Sequence, residues 1–445
     1  VRRHRLISGE VARLVKISLL LKNVILMTLC GFLAFSQEPA GTPAALNAEA
    51  IKAYQAKDYA RFLTLEKRAL ELQPASPRFV YNVACGEALR GNPREAVRKL
   101  DQLVGWKLDL GAEQDNDFAG IRNTPEWNEF ESRLAELRKP IIHSAVAFTL
   151  PDPGLMATGL AVDPQTGDTY IASVRERKIV RRSKQGRISD FVQQGQDGFL
   201  AGASLLIDAR RHILFASTAA VPFMEGYRKE DFGTSGVFAF DLKSGKLLRK
   251  ALLQPDGKQH FLNALTLDHK GNLYVSDSAG AAIYRLPRRG KDLKVFIAPN
   301  LFRSTQGLAF SPDAKTLYVA DFSDGLWAVD MSSRKRQHLN APADVWMGGL
   351  DGLSPVPGGF VAVQIAPAVR PERVLRLRLD SRRQRIAAAD ILEMNHPDYS
   401  GPIQGTVAGN AFLYVANSQL NLGDGQTGAF AKDRARATVV LRLGL

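Results

Sequence analysis

Four polar side chains stand at equivalent places in a repeated sequence pattern. Asn263, Gln306, Asp351 and Gln404 each come directly before a short segment that starts with a small residue and continues with apolar ones. Carboxamide and carboxylate oxygens are ligands for Ca²⁺, which takes about six to eight of them. A ring of one carboxylate and three carboxamides therefore predicts a weak site for calcium or another divalent metal.

Two histidines lie close to this set in the sequence. His260 comes three residues before Asn263, and His396 comes eight residues before Gln404. A histidine near bound substrate can act as a general base that activates water, although a lone loop histidine is more often a polar surface residue. If the protein is an enzyme, we expect His260 and Asp351 to be its catalytic residues.

The repeated pattern itself indicates the fold that would bring these residues together. Six segments share a small or polar turn, an apolar strand, a turn with Asp, Pro or Gly, and a second apolar strand. They begin at residues 158, 202, 263, 306, 351 and 404. Units of about 40–50 residues with four strands each are typical of β-propeller blades. We therefore predict a six-bladed propeller over residues 141–445, whose innermost strands place these polar residues at the mouth of a central channel.

The ends of this region predict how the ring closes. The last unit ends with TVVLRLGL, residues 438–445, which supplies only a third strand. The segment SAVAFTL, residues 144–150, precedes the first full unit and can supply the missing outer strand. Joining both ends in one blade removes open sheet edges, which otherwise favour aggregation.

A different periodicity precedes the propeller. Residues 44–138 have helical patterning with a repeat of about 34 residues, seen in AYQAKDYARFLTLEKRALELQP and again in ACGEALRGNPREAVRKLDQLV. These segments resemble tetratricopeptide repeats. The resemblance implies a concave surface for a protein or peptide partner. A short adaptor without a ligand is the alternative. The predicted fold class is thus multidomain, an α-helical repeat segment followed by an all-β propeller.

The propeller sequences also resemble a known family. LNALTLDHKGNLYVSDS, QGLAFSPDAKTLYVAD and DGLSPVPGGFVAV are similar to segments of the gluconolactonase and regucalcin (senescence marker protein) propellers. In that family a glutamate, two asparagines and an aspartate bind a divalent metal, usually calcium, which polarises the carbonyl of a lactone or ester. The resemblance implies that Asn263 and Asp351 match two of these ligands. Gln306 stands where the second asparagine is expected, and no acid stands at the glutamate position near Thr158.

The N-terminal residues and the charge bear on localisation. Residues 1–36 combine several Arg and Lys with the short apolar run VILMTLCGFLAF, which predicts a signal peptide or an N-terminal anchor. We therefore expect a periplasmic or secreted protein with no stable membrane span after cleavage. The formal net charge is +14. Without a basic stripe interleaved with aromatics, this charge does not predict nucleic-acid binding.

Two functions follow from these patterns. The first is an exported binding protein that takes a protein partner on its helices, a small molecule in its channel, or both, with a weak metal site at the channel. The alternative is a calcium-dependent lactone or ester hydrolase. The sequence contains no G-x-S-x-G nucleophile elbow, P-loop or H-E-x-x-H motif, so hydrolases and nucleotide-binding enzymes that depend on these motifs are not indicated. Whether the protein is an enzyme stays open at this point.

Overall fold

The computed structural model describes residues 41–366 and 369–445, and the predicted leader at residues 1–36 lies outside them. It confirms the predicted fold class, a helical segment followed by a six-bladed β-propeller. The five described α-helices are α1 (Pro43–Gln55), α2 (Tyr59–Leu72), α3 (Pro77–Leu89), α4 (Pro93–Gly105) and α5 (Pro125–Leu137). Short 3₁₀ turns at Ala112–Gln114 and Asn116–Ile121 connect α4 to α5.

Local sequence explains where these helices begin. Proline occupies the first turn of α1, α3, α4 and α5, where its missing N–H costs no hydrogen bond. The Thr42, Ser76 and Thr124 side chains accept hydrogen bonds from backbone N–H groups of the helices that follow them. The helices share one apolar core, in which Phe118 and Trp127 are fully buried and pack ring against ring. The likeness of these helices to tetratricopeptide repeats stays a prediction.

The strands of the described residues form six four-stranded antiparallel sheets, one per blade. The first three blades contain β2 (Ala157–Val162), β3 (Thr169–Ser173), β4 (Ile179–Arg182), β5 (Ile188–Val192); β6 (Ala201–Asp208), β7 (Ile213–Ala219), β8 (Ser235–Asp241), β9 (Leu247–Leu252); and β10 (Leu262–Leu267), β11 (Leu273–Asp277), β12 (Ala282–Leu286), β13 (Lys294–Ile297). The next two contain β14 (Thr305–Phe310), β15 (Thr316–Asp321), β16 (Gly325–Asp330), β17 (Arg336–His338); and β18 (Leu350–Val356), β19 (Gly359–Ala366), β20 (Val369–Leu379), β21 (Ile386–Met394).

The sixth blade contains both ends of the propeller sequence. It consists of β22 (Thr406–Ala408), β23 (Ala411–Val415), β24 (Thr438–Gly444) and β1 (Ser144–Leu150). Strand β1 pairs antiparallel with β24, from Ser144 opposite Leu443 to Leu150 opposite Thr438. The innermost strands of neighbouring blades contact each other around the ring, including β2 with β22.

The blades give the propeller two distinct faces. Because antiparallel strands reverse direction, the loop after each second strand and the connection into the next blade lie at one end of the blade. We call this end the mouth face, and it includes Asn263, Gln306, Asp351 and Gln404. The turns after each first and third strand lie at the other end, which we call the hairpin face.

The helical segment packs directly against the fifth blade. The Trp106 indole N–H donates to the Ala343 carbonyl at 3.0 Å, and Asp109 and Arg370 exchange backbone hydrogen bonds. Met394 lies within the apolar core of the helices, and Trp346 packs against that core. The two parts therefore share buried surface. None of the α-helices in the described ranges contains an apolar stretch of the length needed to span a bilayer.

Candidate ligand site at the channel mouth

The four polar residues predicted to form a ring do converge. The Asn263 amide nitrogen donates to Gln306 Oε1 at 2.5 Å, and the Gln404 amide nitrogen lies 3.4 Å from Asn263 Oδ1. The Gln404 backbone N–H donates to Asp351 Oδ2 at 3.2 Å. Residues from the third, fourth, fifth and sixth blades thus form one connected set, in which Asn263 and Gln306 are buried.

A β-bulge places these side chains. The pairing of the innermost strand with its neighbour shifts across Asn263–Ala264 in the third blade, across Gln306–Gly307 in the fourth and at Asp351 in the fifth. A bulge adds one unpaired residue and re-aims its side chain. The glycine that follows in two blades allows close packing of inner strands, because a Cβ on Gly352 would lie 2.4 Å from the Cβ of Gln404.

Asp351 is the carboxylate of this set. Burial raises the pKa of its carboxyl group to about 6, although the Gln404 N–H opposes this shift. Asp351 takes part in none of the ion pairs found among the described residues. Asp351 is partly buried, and a cation beside its carboxylate would offset the loss of hydration that raises this pKa.

The oxygen set fits a hard cation in kind, with one carboxylate and three carboxamides. The Asp351 carboxylate forms no ion pair with any described residue, so a bound cation would be its first counter-charge. At the position of the expected glutamate, Thr158 instead donates its hydroxyl to the Gly202 carbonyl at 2.6 Å. A bound divalent metal would polarise a carbonyl oxygen of a ligand. Gln306 and Asn263 would have to exchange their mutual hydrogen bond for such a metal.

His260 is held between two carboxylates. Its Nδ1 lies 2.5 Å from Asp277 Oδ2, and its Nε2 lies 3.1 Å from Asp256 Oδ1. The hydrogen bond to Asp277 raises the pKa of the imidazole, with a further contribution from Asp256. Both ring nitrogens are therefore engaged, and no hydrogen bond between described residues joins this ring to Asn263, Gln306, Asp351 or Gln404.

Sequence reasoning did not single out Asp277. Its buried carboxylate accepts the backbone N–H groups of Phe261 and Gly280 as well as the His260 ring. Asp321 at the equivalent place in the next blade accepts the N–H groups of Arg303 and Ser304. The signal was present in the repeated endings YVSD and YVAD. These two aspartates fix the connections that lead into β10 and β14.

Two long loops cover part of the mouth face. Residues 219–236 and 417–437 pack together, with the Phe223 ring against Gly423. The Arg175 guanidinium lies 4.7 Å from the centre of the Phe430 ring and forms an ion pair with Glu225 at 2.5 Å. These loops come from the second and sixth blades, so they meet over the first blade. The other predicted histidine, His396, is buried and accepts the Asp398 backbone N–H at 3.1 Å.

A separate cluster of polar groups lies inside the helical segment. Ligand atoms of Cys85, Asp115 and Asp117 lie within 4.8 Å of one another. The Tyr54 hydroxyl donates to Asp117 at 2.7 Å and the Tyr81 hydroxyl to Asp115 at 2.9 Å. Burial, with the nearby carboxylates, raises the pKa of the Cys85 thiol. The cluster has the composition of a metal site, but its carboxylates already accept hydrogen bonds and its cysteine favours the neutral thiol.

No protein-family profile matches the chain. Among solved structures, a luciferin-regenerating enzyme aligns with a TM-score of 0.49 at 14% sequence identity, over 69% of this chain and 96% of that one. A gluconolactonase from Xanthomonas campestris aligns with a TM-score of 0.45 at 16% identity, over 69% and 92%. The PQQ-bound aldose sugar dehydrogenase from Streptomyces coelicolor gives 0.44 at 16% identity, over 67% and 98%. Gluconolactonases are thus among the solved structures that are similar to this propeller at low identity.

Proposed function

We propose that the protein is a binding protein whose channel mouth takes a small cationic ligand or a divalent cation. The observation that carries this proposal is the Asp351 carboxylate, which is partly buried, has no ion-pair partner among the described residues and lies beside three carboxamides. The carboxylate supplies the charge that attracts the ligand. The Asn263, Gln306 and Gln404 amides can supply hydrogen-bond acceptors and donors once their mutual bonds rearrange.

The test compares cation binding in the wild type and in Asp351→Asn. We expect Ca²⁺ or a diamine such as putrescine to raise the melting temperature of the wild type and not of Asp351→Asn. Binding should strengthen as pH rises through about 6, because the free carboxyl must lose its proton to attract a cation. Asp344→Asn, an exposed aspartate on the connection before Asp351, is the matched control. Equal shifts in all three proteins would refute the proposal.

We further propose that the helical segment contacts a protein or peptide partner and that the protein is periplasmic or secreted. Ile51 and Leu72 support a contact surface, because both are exposed apolar residues on the first two helices. Replacing both by Ser should abolish capture of the partner by the purified protein without changing its melting temperature. Fractionation of the producing cells, with detection of the mature N-terminus, tests the localisation.

A metal-dependent lactone or ester hydrolase is the second candidate function. It is favoured by His260, on the connection that leads into the strand of Asn263, whose Nδ1 is held by the buried Asp277 at the end of β11. A carboxylate on one ring nitrogen orients an imidazole for proton transfer, and His260 could act in this way once its Nε2 leaves the exposed Asp256. A panel of lactones and aryl esters, assayed with Ca²⁺, tests this activity. Turnover lost in both His260→Gln and Asp351→Asn would support it. If the wild type binds the cation but turns over none of these substrates, the hydrolase function is refuted and the binding function stands.

A further inference from the structure

The charge of the propeller is distributed unevenly between its two faces. The hairpin-face turns, taken together with the strand residues at their edges, carry twenty Lys and Arg against nine Asp, a net charge of +11. These turns are residues 163–168, 182–187, 208–212, 241–246, 268–272, 287–294, 311–315, 330–336 and 378–385. The loops and connections of the mouth face carry ten Lys and Arg against twelve Asp and Glu. They are residues 151–156, 174–178, 193–200, 220–234, 253–261, 278–281, 298–304, 322–324, 339–349, 395–405 and 416–437.

Most Asp side chains of the hairpin face accept hydrogen bonds from groups of their own turn. Asp241 accepts hydrogen bonds from Ser244, and Asp330 accepts them from Ser332 and Ser333. Asp380 accepts the Gln384 backbone N–H. Hydrogen bonds of this kind lower the pKa of all three carboxyl groups. These acids therefore stabilise turns and leave the neighbouring bases largely without carboxylate partners.

Many bases of this face are free to meet an external anion. The exposed side chains of six of them form none of the ion pairs found between described residues; they are Lys243, Lys246, Arg288, Arg289, Lys291 and Arg382. They come from the second, third and fifth blades, and Lys335 adds an exposed base from the fourth. The positive charge is thus spread over a broad face and is not confined to a groove.

Exposed apolar side chains surround the same face. Ile188, Leu248 and Val295 are 43%, 55% and 58% exposed, and each is the first or second residue of the outermost strand, next to a hairpin turn. Val146, 54% exposed, is the third residue of the equivalent strand β1 in the sixth blade. Exposed bases next to exposed apolar side chains are typical of surfaces that bind anionic lipid bilayers.

We propose that the hairpin face docks on an anionic lipid membrane, with the channel mouth directed away from the bilayer. The bases bind lipid phosphate groups, and the apolar side chains at the rim enter the headgroup region. The breadth of the face favours a planar partner over a nucleic acid. Aromatic rings near these turns are covered by guanidinium groups, Phe296 by Arg334 and Trp327 by Arg336, so they do not offer free faces for base stacking.

The test measures sedimentation of the full chain with vesicles of phosphatidylglycerol and phosphatidylcholine. We expect binding at about 0.05 M salt that weakens strongly at about 0.5 M salt and is absent with phosphatidylcholine alone. The triple variant Arg289→Glu, Lys335→Glu, Arg382→Glu should lower the partition coefficient by about tenfold or more. The matched control is Lys229→Glu, Lys258→Glu, Lys432→Glu, which changes the net charge equally through exposed bases of the mouth face. It should stay within about twofold of the wild type, because these bases face away from the bilayer.

A second variant separates membrane docking from general attraction to anions. The double variant Ile188→Ser, Val295→Ser should bind vesicles more weakly but should be retained on a cation-exchange resin as strongly as the wild type. The reason is that apolar side chains can enter the headgroup region of a bilayer, whereas the resin interacts with the charges alone. Equal losses in the two triple variants would overturn the proposal. Tighter binding of a short DNA duplex than of the vesicles, at the same salt concentration, would also overturn it and would identify a nucleic-acid surface instead.

Discussion

At the scale of single residues, burial raises the pKa of several carboxyl groups in this protein. Asp351 is one, at the channel mouth, and Glu66 on α2 is another. Glu66 is fully buried on the face of α2 that also buries Phe62 and Ala69. Its oxygens form no hydrogen bond of normal geometry within the described ranges, although the nearby Asn82 and Arg78 side chains oppose the effect of burial on its pKa. Burial raises the pKa of this carboxyl to about 7. The buried Glu66 carboxyl group therefore lowers the stability of the helical segment at pH values where it is ionised.

We predict that Glu66→Gln stabilises the protein at pH 8 and changes little at pH 5. The raised pKa means that the folded state holds its proton more tightly than the unfolded chain, so stability falls as pH rises from about 4.5 through 7. The wild type should lose about 3 kcal/mol over this range, and Glu66→Gln should not. Urea unfolding followed by helical circular dichroism at both pH values measures the difference.

Glu71→Gln, at an exposed position of the same helix, is the control for that comparison. It should leave the pH dependence of the wild type in place. A Glu66→Gln variant with the same pH dependence as the wild type would show that Glu66 is solvated in the folded protein.

At the scale of elements, a buried arginine joins the helical segment to the fifth blade. Arg373 on β20 is 2% exposed, and its Nε donates to Gln364 Oε1 at 2.5 Å. Its Nη1 donates to the carbonyls of Trp106 and Lys107 at 3.2 and 3.3 Å, which follow the end of α4. The negative end of a helix dipole favours a cation there. Burial lowers the pKa of this guanidinium to about 10, so it stays charged at neutral pH.

The same contacts continue toward Asp351. The Gln364 amide donates to the carbonyls of Trp346 and Gly348, at 2.9 and 2.6 Å. Gln364 also pairs with Leu350, the residue before Asp351, across strands β19 and β18. The arginine, the glutamine and this connection therefore fix the position of the strand that carries the candidate ligand site.

We predict that Arg373→Met destabilises the protein by about 2–4 kcal/mol, because Gln364 and two carbonyls lose a charged donor and stay buried. Arg378→Met, on the same strand, should cost less than about 1 kcal/mol, since its ion pair with Asp390 is exposed. Thermal and urea unfolding of the three proteins give the comparison. Equal costs for the two variants would show that Arg373 does not join the two parts.

At the scale of the whole molecule, the helices and the propeller form a continuous apolar core. Met394 is buried in the core of the helices, and Trp346 and Ile391 pack against it. Ile141, in the segment between the two parts, exchanges backbone hydrogen bonds with Met394. The helical segment is therefore a support for the fifth blade as well as a candidate contact surface.

We predict that the fragment 141–445 is less stable than residues 41–445 and binds a hydrophobic dye, because removal of the helices exposes Trp346, Ile391 and Met394. The melting temperatures and dye fluorescence of the two proteins provide the measurement. Replacing Trp346 by Ser in the fragment should lower the dye signal. An unchanged melting temperature in the fragment would mean that the propeller does not depend on the helices.

The fold class could be predicted from the amino-acid sequence alone, because helical and strand periodicities differ and the blade pattern recurs six times. The sequence also identified Asn263, Gln306, Asp351 and Gln404 as equivalent, since repetition places equivalent residues at equivalent positions. How those four side chains connect follows from the folded structure alone, because the hydrogen bonds that join them run between different blades. Likewise, His260 meets Asp277 and Arg373 meets the end of α4 through contacts between distant residues. The basic hairpin face likewise could not be predicted from the sequence, because its Lys and Arg residues are far apart in the chain and come to lie on one face only when the six blades form a ring.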